Sequence, residues 1–269
     1  MDTVGGYDGT FDGEHVLLSA GVAYRNPGAG MFNLHAPENP ASVMVDSGGF
    51  QAATRWTGVK ASKRGLPGRF PYSAEELHDW AASDAVDTDI VAGMDIACEE
   101  GRRLYDPAAG LSYPGDYRDR MLESFEMQKH QRAVYETGDY DHDFMPVIQG
   151  NRLEDYEDFI SLMQGEGLDS YDTLAIGTIC KRDDLDEILD VVELVRDYYP
   201  DKYLHLFGAT LNIWRDQRFA ELFDSTDTAA WNWGASSKAE KKEFYEQYRA
   251  KTDTYGEALA NQRRLQSTE

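Results

Sequence analysis

The chain has 269 residues, with 49 acidic against 26 basic side chains and a formal net charge of −23 at pH 7. A composition 28% charged and 41% hydrophobic describes a globular chain and excludes an intrinsically disordered one. Such acidity argues against nucleic-acid affinity through phosphate neutralisation alone, and it fits a halophilic protein, because the Debye length falls to roughly 3 Å at 1 M salt. In molar salt counterion release contributes little for any protein, so local basic clusters weigh more than global charge.

The N-terminal stretch "MDTVGGYDGTFDGEHVLL" has neither a basic region nor a long apolar run. No segment reaches the ~20 apolar residues of a membrane span, so a soluble, cytoplasmic protein is expected. The first strand candidate is "HVLLSAG" (15–21), and "GMFNLHA" (30–36) is a weaker one. "SVMVDSGG" (42–49) follows, an apolar run that ends in Asp46. The loop "TGVKASKRGLPGRF" (57–70) carries Lys60, Lys63, Arg64 and Arg69 with no acid. In so acidic a chain this reversal reads as a nucleic-acid-binding loop over the site, with Trp56 and Phe70 able to stack on bases. Ser73 and Glu76 form a capping box at the start of a helix.

"DIVAGMD" (89–95) is the next strand, and a long helix fills about 116–136. "FMPVIQG" (144–150) and "TLAIGT" (173–178) are strands on either side of a helix that places Leu153, Tyr156, Ile160 and Met163 on one face. A second such helix carries Leu185, Ile188, Leu189, Val192 and Val195. Strands "YLHLFG" (203–208) and "FAELFDS" (219–225) come next, and a polar helix spans about 237–262. Short apolar bursts bounded by Gly or Asp read as buried parallel strands. Their alternation with helices predicts an α/β fold, a single-domain (β/α)8 TIM barrel over 1–269, with a doubly wound open sheet as the structural alternative. The eighth strand falls either in 30–36 or near "AAWNWGA".

Cys98 and Cys180 form no spaced pair and the six histidines are scattered, so no metal site is expected. Neither a GxGxxG nor a GxxxxGK[ST] loop is present, which argues against a nucleotide cofactor. Barrel chemistry sits at the C-terminal ends of strands. Those ends supply Asp46, Asp95, Gln149, Gly177, Gly208 and Asp224. One acid can attack an electrophilic carbon, a second can move a proton, and a third with the amide can hold a ligand rich in N–H donors. Carboxylate attack at an anomeric carbon is the logic of retaining glycosidases.

At this point the residues resemble a family. "DSGGFQ" (46–51) is similar to the signature of the tRNA-guanine transglycosylases, TIM-barrel enzymes that exchange guanine for a 7-deazaguanine base. "DIVAGMD" (89–95), "PVIQG" (146–150), "LAIGTI" (174–179), "HLFGA" (205–209) and "LFDST" (222–226) resemble further segments of that family in the right order, over roughly 42–235. The resemblance implies that Asp46 is the general acid/base and that Asp95 and Gln149 read the base edge. It implies that Gly48 and Gly49 let the substrate approach closely. Gly177 and Thr178 would line the pocket floor, and Phe50 and Phe207 would stack on the base. For the nucleophile that attacks C1′, Asp224 is the choice, with Glu221 the strict positional match and Asp227 a third candidate.

The family's cysteine-rich zinc site is absent, since no cysteine follows Cys180. No appended RNA-binding domain is expected either. Both departures make the chain more like the DNA-modifying branch found in viruses and genomic islands. The expected partners are DNA, with tRNA as the alternative, and a free 7-deazaguanine base. Two other readings are a retaining glycoside hydrolase using Asp46 and Asp224, and a non-catalytic barrel subunit that binds nucleic acid.

Overall fold

In the computed structural model, which describes residues 13–26, 31–32, 34–49, 70–98, 117–180, 182–228 and 236–266, the apolar runs form strands separated by helices. The chain divides into two compact units, Met1–Thr178 and Ile179–Glu269.

The first unit opens with β1 (His15–Ser19), α1 (Ala20–Ala23), β2 (Tyr24–Asn26), β3 (Met31–Phe32) and β4 (Ser42–Asp46). It continues with α2 (Ala74–Ala81), β5 (Ile90–Ala92), α3 (Tyr117–Thr137), β6 (Asp143–Met145), β7 (Val147–Ile148), α4 (Leu153–Glu166) and β8 (Thr173–Ile176). Strands β1, β4, β5 and β6 pair in parallel in that order, and β7 pairs in parallel with β8. Pro146 has no N–H to give a ladder. It separates β6 from β7, so one run of chain pairs with β5 before it and with β8 after it. Val43, Val45, Val91, Phe144, Val147, Ile148, Leu174 and Ile176 are buried between strands and helices, as continuous apolar runs require.

The expected capping box is present: Glu76 N donates to Ser73 Oγ at 3.2 Å, and Ser73 N donates to Glu76 Oε2 at 2.8 Å. On α4, Tyr156, Ile160 and Met163 are buried, whereas Leu153 in the first turn is 40% exposed. Helix α3 departs from the amphipathic rule: its buried residues include Arg120, Ser124, Gln128 and Gln131. Among the described residues of 30–36, Met31–Phe32 is extended, and it pairs antiparallel with Tyr24–Asn26 rather than with a parallel strand. The other place expected for the eighth strand, 229–235, lies outside the described residues.

The second unit holds α5 (Leu185–Tyr198), β9 (Tyr203–Leu206), α6 (Leu211–Arg215), β10 (Ser225–Thr226) and α7 (Lys238–Gln266). Helix α5 buries Ile188, Leu189, Val192 and Val195 as its spacing predicts, whereas Leu185 in the first turn is half-buried. β9 and β10 are parallel, with Ser225 opposite His205 and Thr226 opposite Leu206. The strand expected over 219–225 is not there. Gln217–Phe219 is a 3-10 turn, and Glu221 adopts φ 70°. That left-handed residue breaks the extended run, so the strand starts only at Ser225. The described strands make an α/β fold with parallel sheets. Among the described residues no helix is long and apolar enough to cross a membrane.

Candidate active site

Four of the expected residues of the first unit do lie just past strand ends. Asp46 closes β4, Asp95 follows β5, Gln149 follows β7 and Gly177 follows β8. Asp95 and Gln149 are joined directly. Gln149 Nε2 donates to Asp95 Oδ2, and Ser47 Oγ donates to Asp95 Oδ1 at 3.0 Å. Thr178 Oγ1 donates to Gln149 Oε1 and accepts from Cys98 N at 2.9 Å. That chain fixes the amide: the Thr178 proton must go to Oε1, so the NH2 group faces the carboxylate. Thr178 is held in the left-handed region at φ 58° to make both contacts. It therefore orients Gln149 through its side chain, a role the sequence did not show.

Burial, with the Asp46 charge adding to it, raises the Asp95 carboxyl from its ordinary 3.8 to about 7, against the lowering hydrogen bonds of Ser47 and Gln149. Near neutral pH Asp95 is therefore poised between donor and acceptor. Tyr72 donates to Ser47 O, and burial pushes its own phenol well up, with Asp46 and Asp95 adding to the shift. It stays a neutral donor that fixes the backbone after Asp46.

Gly48 and Gly49 are needed by the protein itself. Gly48 has φ 83°, and a Cβ there would lie 2.4 Å from Gly21 N, while one on Gly49 would lie 2.4 Å from Asp95 O. The tight packing sets Asp95 against the turn that follows Asp46. The expected role of these glycines was close approach to substrate; the geometry gives them close approach to neighbouring backbone.

Asp95 is also held from behind by α3. Gln131 Oε1 accepts from Met94 N at 2.5 Å, Ser124 Oγ accepts from Ile96 N at 2.8 Å, and Arg120 Nε donates to Ala97 O at 3.1 Å. One turn along, Gln128 bonds both N–H and C=O of Val147. These polar residues recur at helical spacing, and they satisfy backbone groups that no strand pairs. The polar stripe on α3 is the signal from which they could have been read.

In the second unit Phe207 and Gly208 follow β9. Asp224 precedes β10, so it sits at the opposite strand end from the one expected. Its backbone N donates to Leu204 O at 2.9 Å, and its Oδ2 accepts from Leu204 N and from Arg196 Nη2, both at 2.8 Å. Asp89 makes the same clamp before β5, with N to Val43 O at 2.9 Å and Oδ2 from Val43 N at 2.7 Å. Asp224 thus belongs to a repeated strand-entry device. Asp227 instead follows β10, and its Oδ1 accepts from Gly208 N at 2.8 Å. Gly208 has φ 69°, which turns that N–H toward the carboxylate. Glu221 is exposed, in the turn before β10.

Phe50, Lys60, Lys63, Arg64 and Arg69 lie outside the described residues, as does Trp56. Phe70 is described, and it is buried against Tyr72 rather than presented to solvent. Among the described residues no cluster of three or more His, Cys, Asp or Glu could hold a metal ion.

Parallel strands whose ends carry carboxylates beside a locked amide define an α/β protein with a polar site suited to a donor-rich ligand. The chain matches the family model of DpdA, deoxypurine in DNA protein A, over residues 30–247, and it belongs to that family. These are DNA 7-deazaguanine transglycosylases, related to the tRNA-guanine transglycosylases, and the family acts on DNA. No curated protein matches the chain.

Proposed function

We propose that this protein replaces guanine by a 7-deazaguanine base of the preQ0 or preQ1 kind in DNA, through a covalent Asp–nucleoside intermediate, without a cofactor. The observation that carries the reading is the Ser47–Asp95–Gln149–Thr178 chain beside Asp46. A guanine edge offers N1–H and N2–H donors and an O6 acceptor. An ionised Asp95 accepts from the donors, while the second N–H of the fixed Gln149 amide can reach the acceptor. Sugars offer no such flat mixed edge, which favours this reading over a glycoside hydrolase. Phe207 supplies a stacking surface, Phe50 its expected counterpart, and Gly177 the floor.

Asp227 is the nucleophile we favour, in place of Asp224. Asp227 stands at the C-terminal end of its strand, where such folds do their chemistry. Asp224 is committed to Leu204 N and Arg196 at the other end. In the reaction an Asp227 oxygen bonds to C1′ as the C1′–N9 bond breaks, and the electron pair leaves on guanine. Asp46 gives guanine the proton. The incoming base then loses its N9 proton to Asp46, attacks C1′ and releases Asp227 as carboxylate. The basic loop with Lys60, Lys63, Arg64 and Arg69 is the expected grip on the strand, and a duplex target needs its guanine flipped out. Transfer to tRNA by the same chemistry is the alternative outcome.

Trapping tests the assignment. With DNA present and no incoming base, denaturing gels of the wild type should show a DNA-linked band. Asp227→Ala should lose it, and Asp224→Asn should keep it in whatever fraction folds. A band that survives Asp227→Ala and vanishes in folded Asp224→Asn would return the role to Asp224.

A further inference from the structure

Parallel pairing of β9 with β10 sets Ser225 opposite His205. Side chains two residues apart on a strand share a face. His205 and Phe207 therefore look to the side on which Ser225 stands, and Asp227, just past β10, continues that row. His205 is 3% exposed, and its Nδ1 lies 2.8 Å from Ser225 Oγ. Its Nε2 is buried, has no hydrogen-bond partner, and lies 3.4 Å from Asp227 Oδ1. The Phe207 ring meets the imidazole edge-on at 4.7 Å between centroids and limits its tilt.

Chemistry chooses the tautomer. A bare Nε2 lone pair facing a carboxylate oxygen is repulsive, whereas an Nε2–H is attractive. Ser225 can donate its hydroxyl to Nδ1, which leaves the proton on Nε2. Gly208 N already donates to the same Oδ1 at 2.8 Å. Both donors then face one oxygen, and among the described residues no hydrogen bond falls on Oδ2.

We propose that His205 is the positioning residue of this site: its Nε2–H, set by Ser225, holds Oδ1 of Asp227 and leaves Oδ2 to form the bond to C1′. The inference rests on reading Asp227 as the nucleophile. A buried, unpartnered N–H is costly, and here it is aimed at the acid that follows β10. When the nucleoside–Asp ester breaks in the second half-reaction, charge returns to this carboxylate, and the two donors on Oδ1 stabilise it.

Two substitutions separate positioning from packing. His205→Gln keeps an N–H donor near the Nε2 position, whereas His205→Asn keeps one only near Nδ1, toward Ser225. Single-turnover rates of the DNA-linked intermediate should fall by about tenfold or more in His205→Asn with the KM for DNA little changed, and His205→Gln should restore most of the rate. Equal loss in both, or a better His205→Asn than His205→Gln, would overturn the proposal. Ser225→Ala preserves the imidazole and serves if His205→Asn fails to fold; a loss of about threefold or more is expected, and an unchanged rate refutes the tautomer lock. Asp227→Asn, run alongside, must abolish the intermediate. If it does not, the nucleophile reading falls and this inference with it; if it does and the His205 pattern is reversed, only the inference falls.

Discussion

Asp95→Asn should separate what the site needs for function from what the fold prefers. The carboxyl is raised from 3.8 to about 7 by burial and by Asp46. A group whose folded pKa is raised contributes stability that is fully present below its unfolded value and is lost as pH rises through the folded one. At 1.36 kcal/mol per pH unit, the wild type should lose up to about 2.5 kcal/mol from this residue between pH 5 and pH 8. Partial solvent access makes that an upper limit. Asn carries no charge, so this dependence disappears. Its amide oxygen can accept from Gln149 Nε2 and its NH2 can donate to Ser47 Oγ, which accepts as well as donates, so the constant cost is small beside this dependence. Urea unfolding of both proteins at several pH values measures the difference. The stability of Asp95→Asn relative to wild type should rise with pH across this window, while base exchange is lost. A difference that stays flat from pH 5 to pH 8 would refute the argument that Asp95 is held near neutrality.

Asp224→Asn should unfold at lower temperature than the wild type, by about 1–3 kcal/mol of stability, because it weakens the contact to Arg196 and disturbs the clamp on Leu204; thermal melts check it. Gly177→Ala should impair both base binding and folding, because its Cβ would lie 2.1 Å from Gln149 Nε2 and push the buried amide off Asp95. The readout is a raised KM for the incoming base in the folded fraction, with a stability loss of about 1–3 kcal/mol in thermal melts. Gln131→Leu leaves Met94 N without its acceptor, and about 1–3 kcal/mol of stability should go with it, measured by urea titration.

Much of the first unit was legible because its strands are uninterrupted apolar runs that end in a polar residue. Asp46, Asp95, Gln149 and Gly177 stand where that pattern puts them. The capping box at Ser73 was equally plain, since two reciprocal bonds need only two residues at fixed spacing. Legibility failed where a run's apolar content misleads. "FAELFDS" reads as a strand, but Glu221 turns left-handed and the strand begins at Ser225. The error moved the strand end by three residues, which is the distance from Asp224 to Asp227. Helix α3 was placed correctly, and its polar stripe at helical spacing was visible, but which backbone groups Gln128 and Gln131 bond depends on which of those groups lack a strand partner. His205 was scattered among six histidines with no spacing to mark it. Its meaning comes only from the register that sets it opposite Ser225.

The most direct test incubates the protein in high salt with DNA or tRNA and a labelled 7-deazaguanine base, then digests the polymer and weighs its nucleosides. The account predicts the 7-deazaguanine nucleoside in DNA, lost in Asp46→Ala and in Asp227→Ala. Incorporation into tRNA alone, or into neither polymer by folded protein, would contradict it.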